Sequence, residues 1–313
     1  MVDVDIGVQH GFIGEIMSNT LADDIHGLEL AFQDIERETP CLKPVATVFR
    51  EVLVSRAKLK QQLEGHSDIQ ISPPDSSRLS QGYPWLTEDE IAAFVHPKGD
   101  SLKAAIKTLL QVFPSIKLEV LLLSEALFNG VADIQSCVKY LVEGREDDLT
   151  TLAEKIKIHP IALKFMLGQI IKPFVEKRTE ELGDLIKDIP WFQGYCPICG
   201  TYPELSYLKG KEGQRWLRCS LCGHDWRFDR MTCPYCGEAD ERREFLYVEG
   251  TEYQWVEFCS NCNRYIVGID LRKRESMRTD VAAIGMVHLD AIAQQKGFHP
   301  IANCAWNMVF AIT

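Results

Sequence analysis

Several features are missing from this chain of 313 residues, and each absence closes a class of function. No apolar run approaches the roughly 18–20 residues that a membrane-spanning helix needs. The longest, such as Val120 to Leu123, is soon broken by charge. The start, Met1-Val-Asp-Val-Asp-Ile, is acidic where a secretory leader would be basic. A Gly-rich phosphate loop, an HExxH helix and a GxSxG elbow are all missing, so the usual nucleotide, metalloprotease and serine-hydrolase signatures do not apply. Positive charge is also short. The formal net charge is −11, and the first 189 residues carry 20 Lys and Arg against 30 Asp and Glu. From 190 to 275 the balance is 12 against 13, which opposes binding driven by phosphate neutralisation. A soluble, cytoplasmic, non-enzymatic protein is expected, in a compartment that keeps thiols reduced.

Cysteine is what the chain has in abundance. Eight of the 11 cysteines fall between 196 and 262, in four knuckles: Cys196-Pro-Ile-Cys199, Cys219-Ser-Leu-Cys222, Cys233-Pro-Tyr-Cys236 and Cys259-Ser-Asn-Cys262. Two residues between thiolates let both sulfurs turn back onto one ion, and two pairs close a tetrahedron. Gly200, Gly223, Gly237 and Asn263 follow the second cysteine of each knuckle and tolerate the left-handed backbone that such a turn requires. Two Cys₄ sites are therefore expected. Pairing in sequence order uses Cys196, Cys199, Cys219 and Cys222 for one site and Cys233, Cys236, Cys259 and Cys262 for the other. Spacing also permits an interleaved arrangement, in which Cys196 and Cys199 share an ion with Cys233 and Cys236.

An internal repeat favours sequence order. Tyr207-Leu-Lys-Gly210 precedes Cys219 as Tyr247-Val-Glu-Gly250 precedes Cys259. Short aromatic and β-branched runs flank a glycine in each half: Leu205–Leu208 with Arg215–Arg218, and Phe245–Val248 with Gln254–Glu257. Each half reads as a β-hairpin with a knuckle at either end, of rubredoxin or zinc-ribbon type. Hairpins this small bury too little surface to fold alone, so metal forms their core. Four thiolates leave no open coordination position, and hydrolytic metal chemistry is not expected.

The fold class expected is multi-domain α plus small β. An all-helical domain spans 1–189, the first Cys₄ module 190–228, the second 229–275, and a C-terminal helix and tail 276–313. In the first domain, Val45, Val48, Phe49, Val52, Leu59 and Leu63 form a helical stripe over 43–65, with Pro44 in its first turn. Residues 66–86 read as a linker. Thr87 and Glu90 make a capping box, and Asp100 is placed to cap a helix over 101–112. Helices are also expected over 117–129, 131–143 and 147–157. A long one runs from His159-Pro160 to about 187, kinked at Pro173. A single helix is expected over 280–295, stopped by Gly297.

The order of these parts is informative: a helical domain, the knuckle from Cys196 to Pro203, a second knuckle with Trp226, a second Cys₄ set with Tyr265, and a tail helix ending near Gly297-Phe298. It resembles the FdhE family of formate dehydrogenase accessory proteins, specifically across about 190–300. The tail departs from the family pattern in having Asn303-Cys304 where an Asn-Pro motif is usual. The resemblance implies a cytoplasmic assembly factor that binds the catalytic subunit of a molybdenum- or tungsten-dependent formate dehydrogenase. It also implies iron in the two Cys₄ sites, although thiolate sites take zinc as well.

Two other readings remain open at this stage: a rubredoxin-like electron-transfer protein, which requires iron, and a zinc-ribbon nucleic-acid binder, which the charge opposes. Arg215, Trp216, Arg218, Trp226 and Arg227 gather around the second knuckle. They are either hairpin core and solvated surface or, as a cluster, a protein-docking face. His224 follows Cys222 and is expected to be solvated rather than to ligate. Cys41, Cys137 and Cys304 stand apart from any catalytic pattern.

Overall fold

A computed structural model describes residues 7–63, 71–95, 99–186, 189–239 and 242–308. The N-terminal part is helical: α1 (Gly7–Glu38), α2 (Lys43–Gln62), α3 (Ser76–Ser80), α4 (Glu88–Ala93), α5 (Asp100–Val112), α6 (Lys117–Phe128), α7 (Ile134–Val142), α8 (Glu146–Ile156) and α9 (Pro160–Leu182). Local chemistry sets most of these boundaries. Pro44 sits in the first turn of α2, where its missing N–H costs nothing. At α4 the capping box is complete: Thr87 Oγ1 accepts from the Glu90 amide at 3.3 Å, and Glu90 Oε2 accepts from the Thr87 amide at 2.8 Å. His159 caps α9, its Nδ1 accepting from the Ile161 amide.

Three local expectations are corrected. Asp100 is the first residue of α5 and not its cap, which is Gly99; its carboxylate instead accepts from Lys103 Nζ at 2.9 Å. The stretch expected to be a linker contains α3, capped by the Asp75 carboxylate; its positions 66–70 lie outside the described residues. The long helix expected to reach about 187 ends at Leu182, in a 3-10 turn over Gly183–Leu185. It runs on through Pro173, which cannot donate to the Gln169 carbonyl.

The C-terminal part is built on one sheet. Strands β1 (Pro203–Lys209) and β2 (Gln214–Cys219) form the first hairpin, and β3 (Asp225–Arg227) adds to β2. Strands β4 (Arg243–Tyr247), β5 (Gln254–Cys259) and β6 (Arg264–Asp270) form an antiparallel meander. The two halves join through a parallel pairing of β1 with β6, in which Ser206 faces Gly268 and Leu208 faces Asp270. The strand order is β3-β2-β1-β6-β5-β4. Gly268 is required at this seam because a Cβ there would lie 2.3 Å from the Trp255 ring.

After the sheet come α10 (Thr279–Ala282) and α11 (Val287–Gln295), and then β7 (His299–Pro300) on β6. The single helix expected over 280–295 is thus broken, with a 3-10 turn over Ile284–Met286 between its two pieces. Gly285 in that turn lies where a Cβ would meet the Ile35 side chain at 3.1 Å, so the break brings backbone close onto α1.

The cores cut across chain order. One unites Leu28, Phe32 and Ile35 of α1 and Phe49 and Val52 of α2 with Val256, Tyr265 and Ile269 of the sheet and Val281 and Leu289 of the final helices. The other unites α4 to α9 with Ile198, Leu217 and Trp226 around the first knuckles. A buried ion pair between Lys172 of α9 and Glu204 of β1, 3.0 Å, crosses between helices and sheet. No described helix is long and apolar enough to cross a membrane.

Candidate metal centres

The structure brings the eight knuckle cysteines into two groups, and within each group the sulfur atoms all lie within 4.8 Å of one another. Cys196, Cys199, Cys219 and Cys222 form the first; Cys233, Cys236, Cys259 and Cys262 form the second. The knuckles pair in sequence order, and the interleaved arrangement is not formed. In the first group Cys196 Sγ is 3.5 Å from Cys222 Sγ, and Cys199 Sγ is 3.4 Å from Cys219 Sγ. In the second the corresponding distances are 3.8 Å for Cys233–Cys262 and 3.7 Å for Cys236–Cys259. A tetrahedral ion with metal–sulfur bonds of about 2.3 Å separates its sulfurs by roughly 3.8 Å, so both sets fit a Cys₄ ion.

Each knuckle is shaped by the same local turn. The amide of Gly200 donates to the Cys196 carbonyl, and that of Gly237 to the Cys233 carbonyl, both at 2.9 Å. The residues after the second cysteines all have positive φ: Gly200 at 76°, Gly223 at 70°, Gly237 at 72° and Asn263 at 56°. The turn aims backbone N–H groups at sulfur, with Ile198 donating to Cys196 Sγ and Leu221 to Cys219 Sγ, each at 3.4 Å. Such bonds stabilise thiolate over thiol. Burial pushes the Cys196 thiol well above its ordinary range, so a cation at the centre is what would hold four thiolates in this space.

The two centres differ in their surroundings. None of the first four cysteines is more than 2% exposed. The stretch expected to be a linker docks on them: the Trp85 amide donates to the Pro197 carbonyl and the Leu86 amide to the Ile198 carbonyl, both at 2.9 Å. Thr201 Oγ1 lies 2.9 Å from Cys219 Sγ and 3.1 Å from Cys199 Sγ. In the second centre Cys236 is exposed and Cys262 half-buried. Asn261 Nδ2 donates to Cys236 Sγ at 3.6 Å and is itself held by Arg242, whose Nη1 donates to Asn261 Oδ1 at 2.8 Å. Sequence reasoning passed over Thr201 and Asn261. Their signal was a polar side chain inside or just after a knuckle.

His224 is half-buried and stands outside both sulfur groups; burial depresses its imidazole to a pKa of about 4 and keeps it neutral. Cys41 is exposed, whereas Cys137 and Cys304 are buried singly in the cores.

The Arg and Trp cluster divides between interior and surface. Arg215 is buried: Nε donates to Ser206 Oγ at 3.0 Å, Nη1 to the Thr232 carbonyl at 2.9 Å and Nη2 to Glu257 Oε2 at 2.9 Å. Trp226 is also buried, its indole N–H donating to the Gln193 carbonyl. Trp216 stacks on Tyr207 with ring centroids 6.4 Å apart. Arg218 is mostly covered, donating to the Gly223 carbonyl and to Asp225. Arg227 is exposed. Burial therefore takes Arg215 and Trp226 out of any outward face.

With this geometry in hand, known proteins offer direct comparison. A family described as "FdhE, central domain" matches residues 195–230, which contain the first centre. The FdhE homolog of Aquifex aeolicus (strain VF5) is 30% identical over 192 residues, covering 59% of this chain and 67% of that one. The chain belongs to the FdhE family. Other FdhE relatives align over less. The homolog of Shewanella baltica (strain OS185) is 32% identical over 110 residues, which is 34% of this chain and 36% of that one. Protein FdhE of Escherichia coli O127:H6 is 26% identical over 106 residues, 33% of this chain and 34% of that one. The crystal structure of the FdhE protein from Pseudomonas aeruginosa superimposes with a TM-score of 0.61 at 18% identity, covering 90% of this chain and 94% of that one. The FdhE fold thus extends over both the helical part and the double ribbon.

Proposed function

We propose that the chain is a cytoplasmic accessory protein that binds the catalytic subunit of a molybdenum- or tungsten-dependent formate dehydrogenase during its maturation. Membership of the FdhE family carries this reading. The site chemistry supports it: each sulfur group closes a tetrahedron, so a bound ion has no vacant position for water or substrate and the role is assembly rather than catalysis. Cys196, Cys199, Cys219 and Cys222 would hold one iron or zinc ion, and Cys233, Cys236, Cys259 and Cys262 the other. The ions would supply cross-links that fold the ribbons, and iron would add a one-electron couple. A rubredoxin-like electron-transfer role is the second reading, favoured by the exposure of Cys236, which brings the second centre to the surface. The net charge of −11 opposes a nucleic-acid role.

Anaerobic affinity purification from the native host, with mass spectrometry of the co-eluting proteins, tests the reading. Recovery of a large formate dehydrogenase subunit that is lost on a knuckle substitution is the expected result. Its absence, with only small redox proteins recovered from an iron-loaded sample, would favour electron transfer.

A further inference from the structure

One edge of the sheet is blunted and the other is open. At one end, β3 is three residues long and carries the charges of Asp225 and Arg227. At the other, β4 is five residues long and pairs with β5 residue for residue, from Arg243 opposite Cys259 to Tyr247 opposite Trp255, with no bulge. Natural sheets shorten, charge or kink an edge that is to stay single. β4 is neither short nor kinked, and its one exposed charge is Glu244.

The ladder fixes which backbone groups of β4 are open. The Ser260 amide donates to the Arg242 carbonyl at 2.9 Å, and the Asp270 amide to the Tyr253 carbonyl at 2.7 Å. Hydrogen-bonded pairs alternate along an antiparallel ladder. Even-numbered residues of β5 therefore bond to β4, and odd-numbered ones to β6. Glu244 and Leu246 are the residues of β4 that answer β5. The N–H and C=O of Phe245 and Tyr247 point away from the sheet, and no described residue meets them.

The side chains along this edge are largely apolar. Phe245 and Tyr247 share one face and are 42% and 52% exposed. On the other face, Glu244 and Leu246 border a hollow of about 310 Å³ that is closed by Phe258, Lys296 and Phe298.

An open ladder accepts an extended backbone, with pockets beside it for alternate side chains. β4 is itself such a backbone, and it complements its own copy when the two run antiparallel about a two-fold axis. Charge selects the register. Centring on Glu244 would set two carboxylates directly opposite each other, which is unfavourable. Centring on Phe245 removes that clash and pairs all five residues. Phe245 then opposes Phe245, Tyr247 opposes Arg243, and Leu246 opposes Glu244, at the border of the hollow.

We infer that β4 pairs with β4 of a second copy of this chain, antiparallel and centred on Phe245, so that two sheets become one. The inference is independent of the accessory reading above. A five-residue edge is a small interface, so the association is reversible and depends on concentration.

Sedimentation velocity on the full, metal-loaded chain tests it over about 1 to 200 μM, where a small interface is half-filled. The chain should pass reversibly from monomer towards dimer. Phe245→Lys and Phe245→Glu each set like charges across the axis and should weaken association at least about tenfold, with metal content and circular dichroism unchanged. Mixed together, the two variants should pair at least about threefold more tightly than either alone, because lysine then meets glutamate. Phe245→Pro removes an N–H that β5 does not use and should abolish pairing. A parent chain monomeric throughout, variants that associate like the parent, or a mixture no tighter than its components overturns the inference. A monomeric parent whose capture of a formate dehydrogenase subunit is lost on Phe245→Pro would give the edge to a client strand, and overturns it equally.

Discussion

Arg215 of the first hairpin and Glu257 of the second meet at 2.9 Å in the interior, each with only 3% of its side chain exposed. Arg243 completes the group from the other side, its Nε donating to Glu257 Oε1 at 2.8 Å. The two guanidinium groups also hold the chain between the ribbons, Arg215 through the Asp229 and Thr232 carbonyls and Arg243 through the Arg230 carbonyl. One carboxylate thus fixes how two metal-binding hairpins sit against each other.

Removing the shared carboxylate strands two buried guanidinium groups in low dielectric, so Glu257→Ala should cost about 3–5 kcal/mol, whereas Arg215→Ala should cost less because Glu257 keeps Arg243. Urea titration of the metal-loaded protein measures this. A loss under about 1 kcal/mol would show that water reaches the site and that the pairing is only incidental.

The unequal burial of the two centres should separate them in experiment. Cys236→Ser should lose one ion with the smaller fall in melting temperature. Cys196→Ser should lose one ion and lower the melting temperature by roughly 10 °C or more, because its cluster lies inside the core shared with the helices. A chelator should strip the second centre first. Elemental analysis along a chelation time course decides the matter, and equal release rates would contradict the assignment.

Gly194 approaches the second module closely: a Cβ there would lie 1.8 Å from the Pro234 carbonyl oxygen, which is backbone and cannot step aside. Gly194→Ala should therefore destabilise by about 1–3 kcal/mol through displaced backbone. Gly168→Ala, in the interior of α9 with nothing within 4 Å of the new methyl, should be neutral or stabilising. Thermal melts of the two variants compare them directly, and similar melting temperatures would argue against the close approach.

Asp290 gives the molecule a pH dependence of defined sign. Burial raises its carboxyl from 3.8 to about 7, against the opposing effect of the Tyr265 hydroxyl, which donates to Oδ1 at 2.8 Å. A carboxyl raised in the folded state contributes stability that is fully present below its unfolded value, near pH 4. That contribution is lost as pH rises to about 7. Asp290→Asn keeps an acceptor for Tyr265 and removes the titration. Its stability should fall less than that of the parent between about pH 4 and 7, leaving it the more stable of the two at pH 8. Parallel denaturation curves across this range would mean that Asp290 is ionised at no cost.

What the sequence determined by itself was local. A knuckle closes within five residues, so Cys-x-x-Cys followed by Gly or Asn specifies its own turn, and all four of those following residues have the expected left-handed backbone. The Thr87 capping box and the Pro44 start of α2 likewise depend on neighbours within one helical turn. Pairing of knuckles in order was legible because each pair is joined by its own hairpin. Tertiary structure decided the rest. That β1 lies parallel to β6 depends on residues some 60 positions apart, and no period or spacing announces it. Arg215 reads as a surface residue until Glu257 arrives from the second hairpin to neutralise it. The helix expected over 280–295 breaks where Gly285 meets Ile35, a contact across most of the chain.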